Sequence, residues 1–296
     1  CEIVVLEAGM GGRTDATNVI QNTLVAVLAS ISMDHMGFLG DTLFEIAENK
    51  AEIIKPGCMV VSVKQMEEAE RAVMERSKKV GCSVVVADAD AAVHRKRGLF
   101  QQTFDYKEQE SVEIALSGEY QFINAVAALE VVEALRKKGY QIPEEAVRSG
   151  LKETVWKGRF TVVAREPYVI VDGAHNRDAA KRLRETIEQY LSDKRLIYIM
   201  GVLADKEYER VIEETVSFAS EIVTVMTPDN ERALPAEKLA EAVAKYYVPV
   251  QAAESIADAV ERAYALARKE DVILAFGSLS YLGELIRQVE RRTSDD

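Results

Sequence analysis

YVIVDGAHNRDAAKRLRETIEQYL, residues 168–191, passes from an apolar run through a polar glycine turn into a helical pattern. Tyr168–Val171 is continuously apolar, which marks a strand buried on both faces of a parallel sheet. From Asp178 to Leu191 the apolar spacing is that of a helix. The alternation then repeats: strand Leu196–Met200, helix Lys206–Ala219, strand Glu221–Met226, helix Ala236–Tyr246, strand Val248–Gln251, helix Ile256–Ala267, strand Val272–Phe276 and helix Leu282–Arg291. Strands separated by helices of this length require crossover connections. The pattern therefore predicts an open, doubly wound α/β domain, with Phe160–Ala164 joined to its first strand through Glu166-Pro167.

The upstream half carries the same rhythm less regularly. Ile3–Leu6 and Leu24–Ile31 read as strands, and Thr42 caps a helix that runs to about Ile54 and stops before Pro56-Gly57. Strand Met59–Val63, helix Glu67–Val80 and strand Ser83–Ala87 follow. Leu99–Leu116 alternates and reads as a hairpin. Phe122–Lys138 is a helix ending at Gly139, and Pro143 opens another. A boundary near Trp156–Arg159 divides the chain into domains 1–156 and 157–296.

Bulk properties narrow the function. The chain has 296 residues and a formal charge of -12. Two ordinary domains fit that length, and the acidic balance argues against broad binding to nucleic acid or anionic membrane. A local basic pocket for a small anion remains compatible. No apolar run is long enough for a membrane span, and the first residues lack the pattern of a signal peptide. The chain starts at Cys1 inside a predicted strand, so the expectation is a piece of a longer protein. Cys1, Cys58 and Cys82 form neither a disulfide framework nor a zinc knuckle. They read as ordinary small apolar residues of a reducing cytoplasm.

In open α/β sheets ligands bind beyond the carboxyl ends of strands, so the residues after each predicted strand matter most. After Ile3–Leu6 comes Glu7, then Gly9, Gly11 and Gly12, then the polar run Arg13–Asn18. Such glycines let the backbone approach a phosphate. The spacing is neither a dinucleotide fingerprint nor a Walker loop, and a glycine turn with a capping Asp15 is the equal alternative. After Leu24–Ile31 come Asp34 and His35. A lone histidine is more often a satisfied loop residue, but with Glu7 on a neighbouring tip the two can share magnesium or manganese. Lys50 lies on the apolar helical face of Leu43, Ile46, Ala47 and Ile54. Its amine either snorkels to water, finds a buried partner, or carries a CO2-derived carbamate that ligates metal. After Val171, Asp172-Gly173-Ala174-His175-Asn176 places an acid, a glycine turn and a histidine at a helix start, which suits a phosphoryl group. Asp178 as a simple helix cap is the alternative. Gly277-Ser278-Leu279-Ser280 offers hydroxyls and amides to a carboxylate. Three histidines in the whole chain disfavour a histidine-rich metallohydrolase built on Glu7, His35 and His175.

The stretch LEAGMGGRTDATN (residues 6–18) resembles the signature of folylpolyglutamate synthases and bifunctional dihydrofolate synthases of the Mur ligase superfamily. Further blocks occur in order: Asp34-His35 with Leu39-Gly40, Lys50 through Lys55-Pro56-Gly57, Gly118 with Tyr120-Gln121 and Asn124-Ala125, Gly158-Arg159-Phe160, Asp172–Asn176, and Phe276–Leu279. One block alone is weak, but the ordered set spans essentially the whole chain and is specific.

The resemblance implies the remainder of a P-loop-type ATPase domain (1–156) followed by a Rossmann-like ligase domain (157–296). It implies an ATP-dependent ligase that joins L-glutamate to a folate through an acyl phosphate, and dihydropteroate to glutamate in a bifunctional enzyme. Glu7 and His35 would match magnesium ligands, and Lys50 the carbamylated lysine that helps hold metal. Gln121 and Asn124 fall in the adenine block, and Arg159 would reach the phosphates. Asp172 and Asn176 would contact ATP, with Lys50, His175 and Asp172 the catalytic set and Ser278 near the incoming glutamate. The implied setting is a cytoplasmic monomer using ATP, Mg2+ and K+, with small-molecule partners only.

Some positions depart from the family pattern. The family's P-loop lies upstream of Glu7 and is not in this sequence, so residues 1–296 alone are expected to be inactive. Arg177 and Lys157 stand where proline is common, and Glu52 where glycine is common. The competing expectations are another Mur-type ligase acting on a peptidoglycan precursor, and a nucleotide-binding fragment without catalysis.

Overall fold

The computed structural model describes residues 1–33 and 36–295. The chain separates into two compact units. The first is Cys1–Arg97, Gln101–Ala115 and Tyr120–Thr154, and the second is Gly98–Phe100, Leu116–Glu119 and Val155–Asp296.

In the first unit, strands β1 (Val25–Leu28), β2 (Met59–Val63) and β3 (Val84–Ala87) form a parallel sheet in that order. After β1 come α1 (Met36–Leu39) and α2 (Leu43–Ala51), and α3 (Glu67–Val80) joins β2 to β3. Strand residues alternate between faces. Val60 therefore packs with Ile46, Ala47, Ile54 and Val73, whereas Val61 and Val63 pack with Phe104, Phe122 and Val126 on the other side. A small antiparallel sheet, β4 (Val93–Lys96), β5 (Gln102–Tyr106) and β6 (Gln109–Ile114), precedes α4 (Glu119–Lys137) and α5 (Glu144–Glu153). Thr42 and Glu45 form a reciprocal capping box at the start of α2.

The second unit is a six-stranded sheet: β7 (Thr161–Arg165), β8 (Tyr168–Val171), β9 (Leu196–Met200), β10 (Ala219–Thr224), β11 (Val250–Ala252) and β12 (Val272–Phe276). The spatial order is β11-β10-β9-β12-β8-β7, parallel throughout except for β7. Helices α6 (Arg177–Tyr190), α7 (Tyr208–Thr215), α8 (Ala236–Ala244) and α9 (Ile256–Leu266) make the crossovers, and with α10 (Leu279–Asp295) they cover both faces. Every residue of β9 and β12 is buried, as continuous apolar runs require. This is the open doubly wound architecture that the alternation predicts.

Some expectations need correction. Ile3–Leu6 forms no strand, and Val4, Val5 and Leu6 are 66%, 93% and 50% exposed. An apolar run becomes a strand only where a neighbour takes its amide groups, and no described strand pairs with it. β4 was not expected, because Val-His-Arg-Lys carries no apolar alternation. The helix expected over Lys206–Ala219 ends at Thr215, passes through a short 3-10 turn, Val216–Phe218, and gives way to β10 at Ala219. The cap of α6 is Asn176, whose side chain accepts from the Ala179 amide at 2.9 Å, not Asp178.

Candidate functional site

In the second unit, three segments converge at the carboxyl edge of the sheet. The chain leaves β8 at Asp172, which is 5% exposed. Its Oδ1 accepts from the Ala174 amide and its Oδ2 from the Phe160 amide, both at 2.8 Å. One buried carboxylate thus ties the Gly158–Phe160 turn to the 172–176 loop. Phe160 sits at φ +44, a conformation that needs such fixing in a non-glycine residue. Two side chains close over Gly173. A Cβ there would lie 2.5 Å from Leu279 Cδ2 and 2.8 Å from Arg159 Nη1. Arg159, the 172–176 loop and the turn after β12 are therefore brought together.

The polar groups at this edge suit an anion. Arg159 is half-buried, and no carboxylate among the described residues pairs with it. His175 Nδ1 lies 2.8 Å from the Gly173 carbonyl oxygen. A carbonyl only accepts, so Nδ1 carries a proton and donates, and Nε2 is the other ring position. His175 directly precedes Asn176, the cap of α6, at a helix N-terminus where backbone dipoles favour negative charge. Asn176 spends its side-chain oxygen on the helix cap. Ser278 is 3% exposed, and its hydroxyl oxygen accepts from the Ser280 amide at 3.2 Å, starting α10. That bond holds Ser278 against its own helix. Beneath it lies Tyr281, fully buried, whose hydroxyl is 2.7 Å from the Phe276 carbonyl and 3.0 Å from that of Ile199. Burial raises its phenol pKa well above the ordinary range. No motif marked Tyr281, although it props the turn between β12 and α10.

In the first unit, the glycine loop closes onto α2. The Asn49 side-chain oxygen accepts from the Gly12 and Arg13 amides at 3.1 and 3.3 Å, and its carbonyl accepts from Arg13 at 3.1 Å. A Cβ on Gly11 would meet Asn49 Oδ1 at 2.5 Å, and one on Gly12 would meet the Lys50 carbonyl at 2.6 Å. These two glycines serve close approach to a helix end. The expected approach to a phosphate leaves them no spare amide at Gly12. Asn49 was unmarked in the sequence, since a polar residue on a helix has no motif of its own. Asn49→Ala should release the loop, seen as faster hydrogen exchange at the amides of residues 12 and 13, whereas Asn49→Asp, which keeps an acceptor oxygen, should restore much of the protection.

Asp15 closes the same loop. It accepts from the Thr17 hydroxyl at 2.6 Å and from the Met10 and Thr17 amides at 2.9 Å. The Thr17 hydroxyl, then the Met10 amide, hold its carboxyl down from the ordinary 3.8 to about 2. A depressed folded-state pKa means that the contribution is full above pH 3.8 and fades as pH falls toward about 2. The Met10 and Thr17 amides are therefore expected to stay protected down to the ordinary aspartate range and to lose protection below it. Asp15→Asn should abolish that acid step.

The remaining candidates are less gathered. Lys50 is half-buried on α2 with no carboxylate partner among the described residues, and Glu7 is exposed on the segment before the loop. His35 and Asp34 lie outside the described residues. Gln121 is buried near the start of α4, and exposed Asn124, one turn later, donates to it at 3.4 Å. Among the described residues no group of three or more His, Cys, Asp or Glu is placed to hold a metal.

Comparison with known proteins supplies what geometry alone does not. The Mur ligase middle domain matches residues 1–132, and the Mur ligase glutamate ligase domain matches residues 158–279. The dihydrofolate synthase/folylpolyglutamate synthase of Haemophilus influenzae is 30% identical, over 98% of this chain and 68% of its own length. Its namesake from Bacillus subtilis is 29% identical, also over 98% and 68%. Among solved structures, Mycobacterium tuberculosis folylpolyglutamate synthase complexed with ADP and AMPPCP superposes with TM-score 0.81 at 29% identity, over 97% of this chain and 67% of that one. An E. coli FolC complex with DHPP and ADP gives 0.79 at 26% identity, over 97% and 66%. The chain thus spans about two thirds of the length of these relatives.

Proposed function

The chain belongs to the folylpolyglutamate synthase/dihydrofolate synthase family of Mur ligases, and from that premise we propose that the full-length protein joins L-glutamate to a folate at the expense of ATP. Residues 1–156 are assigned to the middle, ATP-binding domain and 157–296 to the glutamate ligase domain. The observation that carries the reading is the convergence of Arg159, Asp172, Gly173 and His175 at the carboxyl edge of a doubly wound sheet. A cationic, amide-rich edge of this kind suits the charged oxygens of phosphoryl transfer.

The chemistry is transfer of the γ-phosphoryl group of ATP to a substrate carboxylate, then attack of the glutamate amine on the acyl phosphate with release of phosphate. Arg159 offers a planar guanidinium that no carboxylate among the described residues satisfies, suited to phosphate oxygens. His175, whose Nδ1 donates to the Gly173 carbonyl, presents Nε2 as its other ring nitrogen at the same edge. Gln121 and Asn124 are assigned to the adenine, Asn176 and Asp172 to the nucleotide side of the edge, and Ser278 to the glutamate side. Glu7, His35 and a carbamylated Lys50 would hold magnesium, whose charge screens the phosphates when bound. Glu7 is an exposed carboxylate and Lys50 an amine with no carboxylate partner among the described residues, both of which fit that assignment. A potassium ion, a cytoplasmic location and a monomeric state complete the proposal. Among the described residues no helix is long and apolar enough to cross a membrane.

The test is transfer of radiolabelled glutamate by the full-length protein, with tetrahydrofolate and then dihydropteroate as acceptor. Product with tetrahydrofolate alone assigns folate polyglutamylation, and product with both assigns a bifunctional enzyme. No product with either, together with competition by a peptidoglycan nucleotide-sugar, would replace the reading with another Mur-type activity. Residues 1–296 alone, which contain no Walker sequence, should give no ligation above background in the same assay.

A further inference from the structure

The thiols of Cys58 and Cys82, 24 positions apart in the chain, lie 3.8 Å from each other. Their proximity follows from the sheet. β2 and β3 run parallel with Val60 opposite Val84, and carrying that register back two residues sets Cys58 opposite Cys82. Cys58 is 4% exposed, enclosed by the apolar layer between the sheet and helices α2 and α3. Cys82 is half-buried at the end of α3, and its S–H donates to the Lys55 carbonyl at 3.1 Å. The third thiol, Cys1, is exposed. The ligase reading uses none of them.

We propose that Cys58 and Cys82 form a redox-convertible dithiol, closed to a disulfide by a peroxide. The half-buried Cys82 meets the oxidant first. Its thiolate attacks the peroxide oxygen, giving a sulfenic acid and hydroxide, and the Cys58 sulfur then displaces water from that sulfenic sulfur. In sum, two thiols and one hydrogen peroxide give one disulfide and two waters, with sulfur oxidised and peroxide oxygen reduced. Burial pushes the Cys58 thiol up from its ordinary range, which suits the resolving rather than the attacking role. The Cys82 S–H is engaged by the Lys55 carbonyl, so closure is expected under sustained oxidant rather than as a rapid response.

The geometry leaves room for closure. A disulfide needs the sulfurs at about 2.05 Å, so they must approach from 3.8 Å. Each cysteine directly follows a glycine in a left-handed turn, Gly57 at φ +81 and Gly81 at φ +73, and nothing lies within 4 Å of where either glycine would carry a Cβ. Both turns have space to shift. Two sulfurs alone do not make a metal site, and no third ligand completes one among the described residues. The crosslink would fasten the turn that ends α2, the helix of Lys50, to the end of α3.

Thiol counting tests this without any activity assay, so its outcome is separate from that of the ligase reading. A Cys1→Ser chain is exposed to hydrogen peroxide, then unfolded and alkylated. The expected result is loss of both alkylatable thiols, loss of two hydrogens from the intact mass, and a proteolytic peptide linking Cys58 to Cys82, all reversed by dithiothreitol. In a Cys58→Ala background the Cys82 sulfenic acid should persist and be trapped by dimedone. Full alkylation of both thiols after peroxide would overturn the proposal, as would conversion of Cys82 to a sulfinic acid with no linked peptide. The peptide map of the Cys1→Ser chain decides by itself if the Cys58→Ala variant does not fold.

Discussion

Gly277→Ala is expected to destabilise the second unit by about 2–6 kcal/mol, because a strained non-glycine conformation costs about 1–3 and overpacking into a fixed neighbour about 1–3 more. Gly277 stands at φ +114, outside the range an L side chain readily adopts. A Cβ there would lie 2.5 Å from the Gly201 carbonyl oxygen and 2.9 Å from Val202 Cγ1. The first of these is backbone of the turn after β9, itself packed against Tyr281, so it cannot rotate away. The urea midpoint should fall with an unchanged slope if the second unit unfolds as one cooperative body. Gly283→Ala is the matched control. It lies six residues on, within α10, with nothing inside 4 Å of its added carbon. Alanine outranks glycine in a helix by about 0.8–1 kcal/mol, so that variant should be as stable as the parent or more so. Equal midpoints for the two variants would show that the close approach of β9 and β12 is not a constraint.

The contrast between those glycines shows where the sequence is readable. The doubly wound sheet was legible because β8, β9 and β12 are apolar at nearly every position, a pattern that only a strand covered on both faces tolerates. β2 and α3 were legible to their end residues, since Pro56-Gly57 and Gly81 stop the neighbouring elements. Ile3–Leu6 has the same composition yet forms no strand, because a strand is a property of a pair and one sequence does not carry its partner. The same limit applies at the sites. Glycines 11, 12, 173 and 277 were visible as glycines, but the atoms that crowd each belong to Asn49, Lys50, Leu279 and Gly201, distant in sequence. Asn49 and Tyr281 were missed for that reason: their partners are backbone groups, which leave no mark in residue identity. The three cysteines looked scattered, and only the parallel register of β2 and β3 sets two of them together.

Asp172→Ala is expected to lower ligation by the full-length protein by at least about 100-fold, the scale of loss when reacting groups are displaced by roughly an ångström. Asp172 acts through what it holds. Its two oxygens accept the Phe160 and Ala174 amides, so removing them leaves two buried N–H groups without partners. Each such orphan costs about 1–3 kcal/mol, and the chain relieves that by letting the 158–160 turn part from the 172–176 loop. Arg159 rides on the first segment and His175 on the second, so the cationic edge opens. A general loss of stability would reduce activity too, and two readouts separate it from this local effect. First, measured well below the unfolding midpoint, where the variant stays folded, the KM for ATP should rise and kcat should fall together. Second, Asp172→Asn keeps one acceptor oxygen but turns an amide donor toward a backbone N–H, so it should fall between parent and alanine in both stability and rate. An alanine variant that is folded and turns over at the parental rate would remove Asp172 from the site and leave the assignment of the edge resting on Arg159 and His175 alone.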